Sequence, residues 1–215
     1  LKFPLLLISV FLFSEAFSYD NIKKDKKTII NSIESQKDRL IEISDNIWEA
    51  AEPALLEFKS SKYLSDYAEE NGFRVTRGVA EIPTAFVAEF GSGKPVIGIL
   101  GEFDANPGIS QKKQPTKEPL VKGAAGHGCG HNLYGTGSLG AAIAIKEMIE
   151  SGEISGTIRF YGTPAEETIF AKVWMVRAGL FDDVDVCMDW HPSDEVEAAT
   201  QSSKALVDFR LRFFG

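Results

Sequence analysis

The chain has 215 residues, of which 44% are hydrophobic and 25% charged, an ordinary composition for a globular protein with one sizeable core. The net charge of −8 at pH 7 argues against a nucleic-acid partner, because a protein that binds phosphates needs a surplus of lysine and arginine. The chain has only three histidines and two cysteines, so the positions of these residues are informative about its chemistry.

An apolar segment opens the chain and is set apart from the fold. Lys2 precedes an apolar run over residues 3–13, and "AFS" ends at Ser18, which is the three-part layout of a secretory signal peptide. The run is short for a stable anchor, so we expect no stable membrane insertion. We predict a signal peptide over residues 1–18 and an exported protein, periplasmic or secreted. The alternatives are an uncleaved anchor or a misannotated start of a cytoplasmic protein.

The next part of the chain predicts helices and then strands. From Thr28 to about Glu70 apolar residues recur at three- and four-residue steps, and Pro53 is expected to begin a second helix that Asn71-Gly72 ends. Two strands are predicted in "FRVTRGV" and "TAFVAEFG". A third, buried strand in "PVIGILGEFD" ends in carboxylates.

A long irregular loop over residues 105–126 leads into alternating helices and strands. Helices are predicted over 136–152 and 166–178, and strands in "GTIRFYGTP" and "DVDVCMDWHP". Strands that alternate with helices are typical of a parallel sheet covered on both faces. The sequence therefore predicts an α/β fold, a three-layer sandwich with a mainly parallel central sheet. The final stretch, "KALVDFRLRFFG", predicts a half-exposed strand.

The two cysteines are assigned to different environments. Cys187 lies in a predicted buried strand, whereas Cys129 lies between glycines and histidines. A disulfide between them, which an exported protein could form, is the less favoured alternative. We expect a buried thiol at Cys187 and a metal-binding thiol at Cys129.

Three clusters of chemically active residues follow predicted strands or the long loop. They are "GHGCGHN", with His127, Cys129 and His131, then the pair Glu166-Glu167, and then His191 in "DWHP". Sites in such sheets form at the carboxyl ends of the strands. Thiolate, imidazole and carboxylate ligands suit Zn²⁺, and also Mn²⁺ or Co²⁺.

Two adjacent glutamates allow a division of labour at such a site. One carboxylate can bind the metal while its neighbour accepts a proton from water and later donates it to a leaving amine. Each element alone also has an ordinary explanation, as a hydrogen-bonded histidine or a solvated helix start. A structural zinc in a non-catalytic binding module is a further alternative. The wide spacing of His131, Glu167 and His191 favours catalysis, because structural sites use short local pairs.

The motifs "GEFDANPG", "GHGCGHN", "GTPAEE" and "DWHP", in this order, carry a resemblance to a known family. The chain resembles the dinuclear metallo-amidohydrolases of the aminoacylase and carboxypeptidase superfamily, most closely the amidohydrolases of the aminobenzoyl-glutamate hydrolase group. The resemblance implies two divalent metal ions, Zn or Mn with Co as a further option. It implies metal ligands at Cys129, His131, Glu167 and His191.

The same resemblance implies roles for three other side chains and a function. Glu166 would be the general base, and Asp104 and His127 would support the ligands without binding metal. The implied function is hydrolysis of the amide bond of N-acyl or N-aroyl amino acids such as aminobenzoyl-glutamate. A secreted dipeptidase or carboxypeptidase with the same metal centre is the alternative.

The resemblance also implies an organisation that extends beyond Gly215. Residues 19–203 would form the first part of a catalytic domain, and residues 204–215 would begin a lid and dimerisation domain. In the family a lid histidine and a last histidine ligand lie further along the chain, and no histidine follows His191 here. We therefore expect a fragment that does not turn over by itself, from a homodimer or hetero-oligomer.

Overall fold

A five-stranded mixed sheet organises the chain in the computed structural model, which describes residues 21–196 and 211–214. The strands are β1 (Arg74–Arg77), β2 (Phe86–Ser92), β3 (Val96–Gly101), β4 (Gly156–Gly162) and β5 (Val186–Met188). Their order across the sheet is β1-β2-β4-β3-β5. β3 pairs in parallel with β4 and β5, and β2 runs antiparallel to β1 and β4. All strands except β2 therefore point the same way, and the predicted α/β fold is confirmed.

Helices cover both faces of this sheet. Residues 21–35 are helical (α1), and they are followed by α2 (Lys37–Ala50), α3 (Phe58–Glu70), α4 (His131–Glu150), α5 (Glu166–Ile169) and α6 (Ala171–Arg177). A short 3₁₀ turn covers Val79–Glu81. On one face α2, α3 and α4 bury a core that includes Phe160 of β4. On the other face Tyr161, the next residue of β4, packs with Ala171 and Met175 of α6. Successive residues of a strand point to opposite faces, so this alternation builds three layers.

Three predicted element boundaries were wrong. Pro53 does not begin a helix but forms an isolated parallel bridge with Ala105, and α3 begins at Phe58. The helix predicted to start at residue 136 already begins at His131. The helix predicted over residues 166–178 is broken at Phe170, whose left-handed backbone (φ 53°) separates α5 from α6. The predicted end of α3 is confirmed, since Gly72 has φ +83°.

The amino-terminal part of α4 lies directly against the end of β3. A side-chain carbon at Gly135 would come within 2.6 Å of the Glu102 carbonyl oxygen, so only glycine allows this approach. The helix therefore delivers His131 to the segment that follows β3.

The remaining predictions concern the two cysteines, membrane insertion and the two ends of the chain. Both cysteines are free thiols. Cys187 is exposed in β5, the strand at one edge of the described sheet, so the prediction of a buried thiol was wrong. In the part of the chain that the structure describes, no helix has both the length and the apolar character needed to cross a membrane. The predicted signal peptide over residues 1–18, and most of the predicted final strand, lie outside the described residues.

Candidate metal centre

The residues that the sequence predicted to form a site lie at the ends of β3, β4 and β5. Glu102 and Asp104 follow β3, while the pair Glu166-Glu167 follows the turn after β4. His191 comes shortly after β5, which runs parallel to β3. Because these strands share a direction, their carboxyl ends open on the same edge of the sheet. Segments that are distant in sequence are therefore neighbours there.

Three of the expected ligands converge on one point. One ligand atom each from Cys129, His131 and His191 lies within 4.8 Å of the others, and the two imidazole ring centres are 5.6 Å apart. His131 is buried, whereas His191 is exposed. Thiolate and imidazole at such spacing form a donor set suited to Zn²⁺.

Glu167 approaches the same point. Its Oε1 lies 3.9 Å from Nε2 of His131, and its contact with Cys129, together with burial, raises the pKa of that thiol. Among the described residues, both Glu167 Oε1 and His131 Nε2 are buried without a hydrogen-bond partner. Buried polar atoms rarely stay unpaired. A buried carboxylate oxygen with no donor among the described residues, next to an imidazole nitrogen whose neighbours are carboxylates of Glu167 and Glu102, fits a site that holds a cation.

Asp104 fixes two of these residues at once. Its Oδ1 lies 3.0 Å from Nδ1 of the His131 ring, and its Oδ2 accepts the backbone N–H of Glu167 at 2.9 Å. A carboxylate on Nδ1 leaves Nε2 of the imidazole free to face a metal. The predicted supporting carboxylate is therefore placed against both the imidazole and the glutamate turn.

Glu166 lies close to His131 and Glu102. Atoms of Glu102, His131 and Glu166 form a second trio within 4.8 Å of one another. Burial raises the pKa of Glu166, and the charge of Glu102 raises it further. A carboxylate with a raised pKa is better matched to proton transfer near neutral pH.

Glu102 and Lys172 belong to the site but were not predicted as functional residues. Glu102 is buried, its Oε2 lies 2.9 Å from His131 Nε2 outside hydrogen-bond geometry, and its other oxygen pairs with Lys172 of α6. Burial would raise the pKa of Glu102, but His131 and Lys172 hold it below its ordinary value. Its position at the end of a buried strand was the available signal. The ion pair with Lys172 spans 70 residues and has no local signature.

The charges around His131 decide its protonation in the absence of a metal. Burial favours the neutral imidazole, but Asp104 and Glu102 together raise the pKa of His131 to about 10. A cation at this place would face the same two carboxylates. The charge pattern of the pocket therefore suits a positive group.

His127 and Asn106 hold the loop that carries Cys129. Nε2 of His127 lies 3.1 Å from the Ile47 carbonyl oxygen, His127 is not a member of the ligand trio, and burial lowers the pKa of His127 to about 4. Oδ1 of Asn106 accepts the backbone N–H groups of Gly128 and Cys129 at 3.0 and 3.1 Å. Asn106 was not predicted. It orients the thiol segment because a side-chain oxygen can accept two neighbouring N–H groups.

Known proteins resemble this chain in sequence and in fold. The family model described as "Peptidase family M20/M25/M40" matches residues 98–206, which include the segments that carry the site. The chain is 49% identical over 190 residues to a p-aminobenzoyl-glutamate hydrolase subunit of Escherichia coli (strain K12), covering 87% of this chain and 39% of that protein. It is 29% identical over 202 residues to the Xaa-Arg dipeptidase of Mus musculus, covering 88% of this chain and 43% of that enzyme.

A solved structure shows the same fold. A dinuclear metal-binding peptidase of the M20 family from Bacillus subtilis superimposes with a TM-score of 0.62 at 27% identity, covering 72% of this chain and 42% of that one. The chain thus spans about two fifths of the length of these curated relatives.

Proposed function

Because the chain belongs to Peptidase family M20/M25/M40, we propose that its site serves a metal-dependent amidohydrolase. The proposed reaction is cleavage of the amide bond of N-acyl or N-aroyl amino acids such as aminobenzoyl-glutamate. One observation carries this proposal above all. The thiol and two imidazoles converge beside a buried, unpaired glutamate oxygen, with a second glutamate next to it.

In this proposal Cys129, His131, Glu167 and His191 hold two divalent ions, Zn²⁺ or Mn²⁺. Support comes from the donor set, from the unpaired atoms of His131 and Glu167, and from the dinuclear Bacillus relative. Such ions would polarise the amide carbonyl and lower the pKa of a water molecule. Asp104 keeps the His131 ring and the Glu167 backbone in position, and His127 supports the loop.

Glu166 then performs the proton transfers. Its carboxylate accepts a proton from the attacking water and donates it to the nitrogen of the leaving amine. Its half-buried position and raised pKa suit both steps. Lys172 neutralises Glu102, which leaves Glu166 as the carboxylate available to the water.

A dipeptidase is the second candidate, favoured by the 29% identity to the Xaa-Arg dipeptidase. The two reactions share the metal and the base and differ in the group on the acyl side of the bond. Comparing hydrolysis of p-aminobenzoyl-glutamate with that of unblocked dipeptides separates them.

The base is tested with two neighbouring variants. In the full-length protein, Glu166→Gln should lower kcat for p-aminobenzoyl-glutamate by about 10²- to 10⁴-fold and leave the bound metal unchanged. Glu167→Gln, the matched control one residue along, should lower the metal content as well. Released p-aminobenzoate and metal per chain are the two measurements. An active Glu166→Gln variant would refute the assignment of the base.

The organisation of the whole protein belongs to the same proposal. Residues 19–203 form the first part of the catalytic domain, residues 204–215 begin a second domain, and the protein works as a homodimer or hetero-oligomer. The protein is exported after cleavage behind Ser18, which the signal-peptide layout of residues 1–18 supports. N-terminal sequencing of the mature protein should then start at Tyr19.

A further inference from the structure

A buried carboxylate outside the predicted site contacts the turn that carries the two glutamates. Glu57, the residue before α3, is 0% exposed. Its Oε1 accepts the backbone N–H of Ala165 at 2.9 Å, and its Oε2 accepts the hydroxyl of Thr84 at 3.1 Å. A charge-bearing side chain is rarely buried so completely unless it is paired, and here both partners are uncharged donors.

The Ala165 backbone is the unusual part of this turn. Its φ of +56° places it in the left-handed region, which is unfavourable for a residue with a side chain. Such a conformation persists only where its surroundings hold it. The next two residues are Glu166 and Glu167, so the direction in which these side chains leave the turn depends on the Ala165 backbone.

Two carboxylates therefore hold the turn from opposite ends of a short segment. Glu57 accepts the N–H of Ala165, and Asp104 accepts the N–H of Glu167. The first bond joins residues 108 apart in sequence, the second joins residues 63 apart.

We propose that Glu57 is a positioning residue. By accepting the hydrogen bond from the Ala165 N–H, it fixes the directions in which the Glu166 and Glu167 side chains leave the turn. This inference rests on the proposed function, since it assumes that the two glutamates serve a metal site. Glu57 touches neither of their side chains and acts only through the backbone. An amide at position 57 can replace it, because a glutamine oxygen accepts the Ala165 N–H and the glutamine NH₂ donates to Thr84.

A purely structural role for Glu57 makes a different prediction. The same region contains a second buried bond from α3, in which Ser61 donates its hydroxyl to the Thr84 carbonyl oxygen at 2.8 Å. Ser61→Ala removes that bond and leaves Ala165 untouched. It is the matched control for general weakening of this contact between α3 and the start of β2.

The experiment titrates Zn²⁺ into the wild type and into Glu57→Ala, Glu57→Gln, Glu57→Asp and Ser61→Ala. Each protein is then loaded with Co²⁺ for its absorption spectrum, and thermal unfolding is followed alongside. We expect Glu57→Ala to weaken Zn²⁺ binding by about 10- to 100-fold and to change the Co²⁺ spectrum, as loss of a supporting contact does in metal sites. Glu57→Gln should restore both. Ser61→Ala should lower the melting temperature but bind Zn²⁺ with the affinity of the wild type. If Glu57→Ala does not fold, Glu57→Asp takes its place in the comparison, because the aspartate side chain is too short to reach both partners.

The outcomes separate the positioning role from the proposed function. A wild type that binds neither Zn²⁺ nor, in a parallel titration, Mn²⁺ would remove the proposed function, and this inference with it. A wild type that binds Zn²⁺, with Glu57→Ala (or Glu57→Asp) no weaker than Ser61→Ala, would overturn the positioning role alone. Failure of Glu57→Gln to restore the Zn²⁺ affinity would also overturn the positioning role alone, because the hydrogen bond to the Ala165 N–H would then not explain the loss of affinity.

Discussion

At the scale of single residues, Glu57 also makes the stability of the protein depend on pH. Burial raises the pKa of Glu57 to about 7, and the nearby Asp104 adds to this. An unfolded chain would release the same proton near pH 4.5. Between these values the folded protein binds more protons than the unfolded chain, so the free energy of unfolding decreases as the pH rises.

As the pH rises from 4.5 to 7, we expect the contribution of Glu57 to the free energy of unfolding to fall by about 1 to 3 kcal/mol. Glu57→Gln should remove this part of the slope, which urea unfolding at pH 5 and pH 8 would measure. Glu118→Gln is the control: Lys112 lowers the pKa of this carboxyl group, so it does not titrate in that range. A wild-type slope in Glu57→Gln would contradict the prediction.

The residues that gather at the site were partly predictable. Cys129, His131 and His191 were expected together because rare side chains stood at predicted strand or loop ends, and the structure brings them together. Glu57 and Lys172 were not predicted. At the start of a helix, Glu57 has the pattern of a solvated residue, and its burial arises only from contact with a turn 108 residues away. No local pattern encodes such a contact.

At the scale of elements, the approach of α4 to β3 depends on Gly135. A methyl group there would meet the Glu102 carbonyl oxygen at 2.6 Å and a Leu64 methyl at 3.1 Å. Gly135→Ala should therefore lower the free energy of unfolding by about 1 to 3 kcal/mol, the usual cost of overpacking, in spite of the better helix propensity of alanine.

Gly137→Ala is the control in the same helix. Its added methyl group meets a ring carbon of Trp190 at 3.0 Å, a side chain that is partly exposed, and not a backbone oxygen as at Gly135. We expect a change within about 1 kcal/mol, since gained helix propensity offsets the contact. Urea unfolding of both variants is the measurement. Equal stability of the two variants would show that α4 can move away from β3.

Helix ends were harder to predict than the helices themselves. The break at Phe170 interrupts a run with good helical spacing, and its cause is the left-handed backbone on both sides of α5, at Ala165 and Phe170. At Ala165 that geometry is held by a contact with Glu57, 108 residues away in sequence, so periodicity alone predicted one continuous helix. The end of α3 was predicted because Asn71-Gly72 is a local signal with a local cause.

At the scale of the whole molecule, metal binding should stabilise the fold. A ligand that binds only the folded state adds about 2.7 kcal/mol to the free energy of unfolding at 100 times its dissociation constant. Zn²⁺ should therefore raise the melting temperature, and a chelator should reverse the rise. Cys129→Ser should abolish most of this effect. Cys187→Ser changes the other free thiol, which lies outside the ligand trio, and should preserve it.

The shared carboxylate of Asp104 has a consequence for the order of events during folding. Its partners His131 and Glu167 lie 27 and 63 residues away in sequence, so neither contact forms until long loops have closed. In zinc fingers, by contrast, ligands from short local pairs allow the ion to drive folding. Here the ligands are aligned only after the sheet and α4 have come together. An ion that binds these ligands would therefore be expected to enter after the sheet and α4 have assembled, and not to start the folding of this chain.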